Sequence, residues 1–298
     1  MLIERDNSTT VLKSKLRYIE CTELFKRLEK IKYAVVKGEP LSLAAYGEVG
    51  RRPSNDIDIL VPKTEIKKVE EILIECGFES SKKQTRENRV FCLTQSHQIM
   101  PYVKHTPIIN AIVDVNFDVF WGEYKGMPIN MEAFLSDTIN VNIYNNSVKT
   151  LKPEKLFIQL CLHHYKELNS IFLLFDHNFY RNSSFLDVYL LIKKNFSFNN
   201  VEDICSYCQK LEIAPYVYFV VYYTNRLFEN EVLKALVERL KCQEGVDLLE
   251  HFGLDGERRK WHIDFETRMS MGSLHEYLAK ILTKNDLKKI YINQKYFM

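Results

Sequence analysis

The chain has 298 residues, which allows one large domain or two modest ones. Its 41 basic and 39 acidic residues give a formal charge of +2, so it lacks the basic excess of a general nucleic-acid binder. Hydrophobic residues make up 46% of the sequence, which is enough to bury a substantial core. We therefore expect a globular protein, and nucleic acid is a possible partner that the charge does not indicate.

The cysteine and hydropathy patterns indicate the compartment. The seven cysteines are odd in number and scattered, so they form no disulfide framework. Residues 1–10 are polar, unlike a signal peptide, and the longest apolar run, residues 214–223, is too short to span a bilayer. We expect a reduced, cytoplasmic protein with no membrane partner.

Residues 8–31 have the pattern of a single amphipathic helix that leads into the first domain. Their apolar positions recur at helical spacing, at Leu12, Leu16, Ile19, Leu24, Leu28 and Ile31. We expect this helix to pack on the sheet that follows it.

Residues 33–61 predict a strand, a tight turn, a helix, a basic loop and a second strand. Residues 33–36 form a short apolar run that ends in β-branched side chains, as a buried strand does. Gly38 follows at once, where the backbone turns and can approach a ligand closely. Pro40 suits the first turn of a helix, and Arg51 and Arg52 lie in the loop before the second strand.

The second strand carries two carboxylates, Asp56 and Asp58, among apolar residues. Alternate residues of a strand share one face and are roughly 6.7 Å apart along it, so the two acids repel each other unless a cation lies between them. Carboxylate oxygens suit Mg²⁺ or Mn²⁺, which completes its shell with water and substrate phosphates. Lys37, Gly38 and Arg52 are near in sequence and could contact those phosphates. The alternative is an exposed strand edge with two solvated acids.

Residues 62–104 continue the alternation of helices and strands. Residues 62–76 have the pattern of a helix, and residues 80–88 that of a polar loop. Residues 89–93 and 98–104 are predicted as strands, the latter weakened by a proline.

Residues 111–121 alternate between polar and apolar side chains, as a half-buried strand does. Asp114, Asn116 and Asp118 occupy one face of this strand. The stripe could be a solvated face, or it could supply a third carboxylate to the site at Asp56 and Asp58.

The segments Val36-Lys37-Gly38 and Arg52-Pro53-x-x-Asp56-Ile57-Asp58 together resemble the nucleotidyltransferase superfamily with the polymerase-β-like fold. More narrowly, they resemble a bacterial group described only as uncharacterised nucleotidyltransferases. The resemblance implies an α+β fold with a mixed sheet and flanking helices, and it makes Asp114 the third carboxylate. Three positions depart from the group's pattern: Glu39 replaces a small residue, Asn116 replaces a histidine, and Phe117 replaces a tryptophan.

The composition becomes helical after a predicted hairpin over residues 138–151. Further helices are predicted at residues 153–168, 184–195, 200–211, 214–228, 230–242 and 274–289. We therefore expect a catalytic domain over residues 1–150 and an α-helical bundle over residues 151–298.

The helix at residues 153–168 carries polar groups that could position a second substrate. His163, Tyr165 and Lys166 are the candidates for such contacts. For His163 and His164, however, apolar neighbours favour half-buried histidines with satisfied hydrogen bonds. We do not expect zinc at Cys205 and Cys208, since no second cysteine pair matches them.

The resemblance implies a metal-dependent transfer of a nucleoside monophosphate from a nucleoside triphosphate (NTP) to an acceptor hydroxyl. Asp56, Asp58 and Asp114 would act as catalytic residues and ligands of Mg²⁺ or Mn²⁺. The phosphates would be contacted by Lys37, Gly38, Arg52 and Ser42. The acceptor could be a small molecule, a peptide or protein, or RNA. The alternative is a protein of the same fold that binds nucleotide or a partner without catalysing transfer, which Glu39 and Asn116 favour.

Overall fold

The computed structural model describes residues 8–297 except residues 53, 123 and 257, and gives no side-chain surroundings for residues 296 and 297. It divides into two compact units. The first comprises the described residues up to Val119 together with Ile129–Leu156, and the second comprises Phe120–Pro128 and the residues from Phe157 onward.

The first unit is built on a seven-stranded mixed sheet. In spatial order its strands are β3 (Glu79–Ser80), β4 (Tyr102–His105), β5 (Asn110–Asn116), β2 (Ile57–Leu60), β1 (Ala34–Val35), β7 (Asn146–Thr150) and β6 (Ile139–Ile143). β2 pairs with β5 and β1 with β7 in parallel, and the other pairs are antiparallel. This mixed sheet and the helical C-terminal region confirm the predicted fold class.

Apolar side chains of the central strands form the core of the first unit. Val35, Ile57, Ile59, Val113 and Val115 are almost fully buried. They join one cluster with residues of α2 (Thr22–Leu28) and α4 (Ile66–Glu75), which therefore flank the sheet. The hairpin predicted over residues 138–151 is confirmed as β6 and β7, and Tyr144 and Asn145 take positive φ in its turn.

The leading segment is two helices, so the prediction of one helix over residues 8–31 is wrong. α1 (Ser8–Glu20) ends before Cys21, and α2 follows. α2 buries the predicted apolar face, but Leu12 and Ile19 of α1 are 56% and 47% exposed. The side chains that α1 buries are Ser14, Arg17 and Tyr18. Polar partners at the candidate site, described below, explain this choice of face.

The predicted strand at residues 89–93 is a helix, α5 (Arg86–Gln95). Its N-terminus is capped by Thr85, whose hydroxyl accepts a hydrogen bond from the Asn88 N–H at 3.1 Å. The strand predicted at residues 98–104 corresponds to β4, which begins later in the chain, at Tyr102, and ends at His105. Residue 98 itself makes one isolated bridge to Asn116.

The helical region after β7 comprises ten helices in the described residues. They are α7 (Pro153–Asn169), α8 (Ile171–Asp176), α9 (Asn182–Asn195), α10 (Phe198–Lys210), α11 (Ala214–Leu227), α12 (Glu231–Leu240), α13 (Gln243–Leu249), α14 (Phe265–Ser270), α15 (His275–Ile281) and α16 (Lys284–Phe297). The single helix predicted at residues 274–289 is two helices in the structure, α15 and α16. They are separate because Thr283 caps α16 with hydrogen bonds to Asp286. No helix among the described residues is long and apolar enough to cross a membrane.

The short elements of the first unit complete the connections around the sheet. α3 (Gly38–Leu41) continues into a π-helical turn, Ser42–Tyr46, and a 3₁₀ turn, Lys63–Glu65, precedes α4. α6 (Met131–Phe134) leads into the β6–β7 hairpin. A two-stranded ribbon of β8 (His251–Phe252) and β9 (Arg259–Lys260) lies in the second unit.

Candidate metal and nucleotide site

The parallel pairing of β2 with β5 brings two of the predicted carboxylates side by side. Asp58 of β2 is the register partner of Asp114 of β5. Register partners in neighbouring strands point to the same face of a sheet, so both acids project from one face. Asp56 lies just before β2, where the Ser54 hydroxyl donates a hydrogen bond to its Oδ1 at 2.6 Å. Asp118 lies beyond the end of β5.

Asp58 is the buried member of this set, at 4% exposure. Burial raises the pKa of Asp58, and the Lys37 ammonium opposes that shift. Lys37 Nζ lies 2.8 Å from Asp58 Oδ1, and Asn116 Nδ2 donates to the same oxygen at 3.4 Å. Asn116, which departs from the resembling group, therefore still contacts the candidate site.

Gly38 occupies a tight turn that no other residue would suit well. Its φ is +58°, and a Cβ there would lie 3.1 Å from the Ser54 Cβ. The glycine is buried, so it lets the turn after Lys37 pack closely against the segment that carries Asp56. This close packing by itself explains why position 38 is a glycine, and the explanation does not depend on the phosphate contact predicted for Gly38.

Ser42 and Arg52 are joined by the loop between the π-helical turn and β2. The buried Ser42 hydroxyl donates to the Glu48 carbonyl at 2.8 Å and accepts from the Arg52 N–H at 3.0 Å. These bonds give the Ser42 hydroxyl a role in holding the loop, and its phosphate contact stays a prediction. Arg52 is half-buried, whereas Arg51 is exposed and ion-paired with Glu48.

Glu39 is fully buried and bonded to groups of the protein itself. Its carboxylate accepts hydrogen bonds from the Ser14 hydroxyl at 2.5 Å, the Gly50 N–H at 2.6 Å and the Tyr144 hydroxyl at 3.1 Å. The carboxylate therefore ties α1, the 47–56 loop and the β6–β7 hairpin to the turn at Gly38. A carboxylate here is expected either to point away from bound phosphates or to alter nucleotide binding, and these three hydrogen bonds favour the first outcome.

Arg17 is a residue of this site that the sequence reasoning missed. It lies on α1, is 6% exposed, and donates from Nη1 to the Ser54 carbonyl at 2.5 Å. Burial lowers the pKa of Arg17, while the nearby Asp56 carboxylate acts to raise it. No local motif marks this arginine; the one hint is the spacing of Ser14, Arg17 and Tyr18, which puts three polar side chains on one helix face.

We expect Arg17→Met to weaken both the fold and the site. The change leaves the Ser54 carbonyl without its charged donor, and losing such a bond costs about 1–3 kcal/mol. Urea titration should report this loss of unfolding free energy. The matched control is Arg51→Met, whose side chain is 62% exposed. Equal stability of the two variants would contradict the anchoring role of Arg17.

The helix α7 offers fewer acceptor contacts than its sequence predicts. Tyr165 is 1% exposed, and its ring packs against Trp121 and Tyr216, so its predicted contact with an acceptor is wrong. His163 is half-buried and bonded to Glu167, which agrees with the expectation of a satisfied histidine. His164 also bonds to Glu167 through Nδ1, but it is buried and its Nε2 has no hydrogen-bond partner among the described residues, so the expectation is met there only in part.

A family described as uncharacterised nucleotidyltransferase matches residues 3–229, which is more than half of the chain. The chain belongs to that nucleotidyltransferase family. A search of curated proteins found no match to this nucleotidyltransferase chain. A solved structure, the antigenic nucleotidyltransferase-like protein from Paracoccidioides brasiliensis, is similar at 16% identity with a TM-score of 0.38. The structural alignment covers 72% of this chain and 97% of the Paracoccidioides chain.

Proposed function

We propose that this protein transfers a nucleoside monophosphate from an NTP to an acceptor hydroxyl, with Mg²⁺ or Mn²⁺ as cofactor. The observation that carries the proposal is the parallel register of β2 and β5, which aligns Asp58 with Asp114. Asp56 precedes the same strand, and the Lys37 ammonium is 2.8 Å from Asp58. Two acids on one sheet face, with Asp56 and the Lys37 ammonium beside Asp58, suit the handling of a metal-bound polyphosphate.

The residues fit a hard divalent cation. The donor set consists of carboxylate oxygens, which Mg²⁺ and Mn²⁺ prefer. Burial raises the pKa of Asp58, so its ionised form is favoured by a neighbouring cation, a role that Lys37 already serves and that a metal ion would share. Asp56, Asp58 and Asp114 would hold the ions, which when bound would neutralise phosphate charge and clamp the entering and leaving oxygens.

In the proposed reaction, the acceptor oxygen forms a bond to the α-phosphorus and the bond from that phosphorus to the β-phosphate oxygen breaks. Pyrophosphate leaves with that electron pair. Asp114 takes the proton of the acceptor hydroxyl. Lys37 and Arg52 offset the charge that grows on the leaving pyrophosphate, and the Arg52 guanidinium can do so with two parallel hydrogen bonds.

The alternative function is a protein of the same fold that binds nucleotide or a partner without transfer. Glu39 and Asn116 were its main support. The burial of Glu39 among three donors weakens the first argument, because its carboxylate is already engaged in hydrogen bonds within the fold. Asn116 donates to Asp58, so the second argument is weakened as well.

Transfer can be tested with NTPs labelled in either the α- or the γ-phosphate, incubated with Mg²⁺ or Mn²⁺ and a cell extract. The proposal predicts that α-label enters a protein, RNA or metabolite fraction while γ-label appears in pyrophosphate. The Asp56→Asn, Asp58→Asn double variant is the control and should show neither. Transfer of γ-label would contradict the proposal, because it indicates a kinase. Retention of all label in intact NTP by wild type would support the silent alternative.

We expect Asp114, and not Asp118, to be the third catalytic carboxylate. Asp114 is the register partner of Asp58, whereas Asp118 lies past the end of β5. Removing a group that takes a proton in the transition state costs about 10²–10⁴-fold in rate. Asp114→Asn should therefore lose transfer by that factor, and Asp118→Asn should stay within about twofold of wild type. The reverse pattern would overturn the assignment.

The compartment and the acceptor complete the proposal. We place the reaction in the reducing cytoplasm, in keeping with seven scattered cysteines that are all free thiols. The acceptor is a hydroxyl of a small molecule, a peptide or protein, or RNA; the balanced charge of the chain gives RNA no advantage.

A further inference from the structure

Helix α7 carries a compact cluster of two imidazoles and one carboxylate. His163, His164 and Glu167 each direct one potential ligand atom into a group whose members lie within 4.8 Å of one another. Glu167 follows His163 by four residues and His164 by three, so each imidazole can reach the same carboxylate on the helix surface. We propose that His163, His164 and Glu167 bind one divalent transition-metal ion, of which Zn²⁺ fits best.

The two histidine–glutamate distances are close to those of a zinc site, and the two imidazole ligand atoms lie within 4.8 Å of each other. His163 Nε2 lies 3.1 Å from Glu167 Oε1, and His164 Nδ1 lies 3.1 Å from Glu167 Oε2. Zinc bonds of 2.0–2.1 Å in a tetrahedral arrangement put neighbouring ligand atoms about 3.3 Å apart. Small rotations of the imidazoles and the carboxylate would therefore suffice to admit an ion.

The surroundings of the cluster favour a cation. The side chains of His163, His164 and Glu167 are 14%, 4% and 17% exposed. A carboxylate and two imidazoles in a poorly solvated position are the donor set that Zn²⁺ takes, while Mg²⁺ prefers oxygen alone.

Three protein ligands leave a fourth coordination position. In zinc proteins such a position is filled by water or by a substrate atom. The cluster is built from α7 alone, so this proposal stands or falls independently of the transfer reaction proposed above. The alternative is that the same three groups form a buried hydrogen-bonded cluster that stabilises the helix and binds no metal. The experiment must distinguish this cluster from a metal site.

The test uses the full-length chain, stripped of metal with a chelator and desalted. Zn²⁺ is titrated in competition with a chromophoric chelator, and Co²⁺ is added separately to record the visible absorption of a tetrahedral site. We expect one Zn²⁺ per chain and a Co²⁺ spectrum with strong visible bands. Glu167→Gln and His163→Gln should each weaken Zn²⁺ binding at least tenfold and abolish those bands.

Two controls separate this site from other metal-binding groups. His105→Gln removes an exposed histidine that also lies near a glutamate, with its Nε2 3.5 Å from Glu79 Oε1, and should leave Zn²⁺ binding unchanged. The Asp56→Asn, Asp58→Asn double variant should also keep the site, since those acids belong to the candidate nucleotide site. The proposal is overturned if wild type binds no Zn²⁺ or if neither α7 variant weakens it. Where one α7 variant fails to fold, the other and the wild-type Co²⁺ spectrum decide.

Discussion

Asp58→Asn is expected to lower nucleotidyl transfer about 10²–10³-fold or more, the loss that follows when a preorganised charge at a reacting phosphate is removed. Asp58 is buried, is the register partner of Asp114, and holds the Lys37 ammonium at 2.8 Å. An asparagine of the same shape keeps the packing but supplies no negative charge for a metal ion or for Lys37. Initial rates of α-label transfer at saturating and limiting NTP would measure the loss in kcat and in kcat/KM.

The variant should also bind the metal–nucleotide complex poorly. Thermal unfolding of wild type should shift upward with NTP and Mg²⁺ together, and much less with either alone, because ligand binding to the folded state stabilises it. Asp58→Asn should lose most of that shift while unfolding at nearly the wild-type temperature without ligand. Unchanged binding of Mg²⁺ and NTP by Asp58→Asn would show that the carboxylate does not serve the metal.

Glu39→Ala is expected to give the largest loss of stability of the variants considered. The change removes the acceptor of three hydrogen bonds, from Ser14, Tyr144 and the Gly50 N–H, in a fully buried position. Each donor left unsatisfied costs about 1–3 kcal/mol, so the free energy of unfolding should fall by about 3 kcal/mol or more. Urea denaturation followed by far-ultraviolet circular dichroism would measure it.

Glu48→Ala is the matched control for Glu39, since both acids lie near the same loop. The Glu48 side chain is 58% exposed and pairs with Arg51, and surface ion pairs of this kind contribute little. Its variant should unfold like wild type. If Glu39→Ala kept wild-type stability and lost only nucleotide affinity, Glu39 would face the ligand and the buried position described above would be incorrect.

The acidic cluster could be predicted because its information is local. The spacing of Asp56 and Asp58 fixes their relation along one strand, and Asp114 sits in a second strand with the same alternation. The family resemblance then supplied the pairing of the two strands, which the parallel register of Asp58 with Asp114 matches.

The hydrogen bonds that hold the segments of the site in place could not be predicted, because they join residues that are far apart in sequence. Arg17 bonds to a carbonyl 37 residues away, and Glu39 bonds to a hydroxyl 105 residues away. These long-range bonds also explain why α1 turns Arg17 inward and leaves Leu12 exposed, against its apolar periodicity. Tertiary hydrogen bonds to buried groups outweigh the burial of an apolar side chain at the helix end.

The site at Asp56, Asp58 and Asp114 is tested most directly by counting the ions it binds. Free Mn²⁺ can be measured by electron paramagnetic resonance during titration of the chain with a non-hydrolysable NTP analogue present. Wild type should bind about two more Mn²⁺ ions per chain than Asp58→Asn, the number a two-metal transfer site holds. Without the analogue, that difference should shrink. Equal Mn²⁺ binding by wild type and Asp58→Asn in the presence of the analogue would contradict the account.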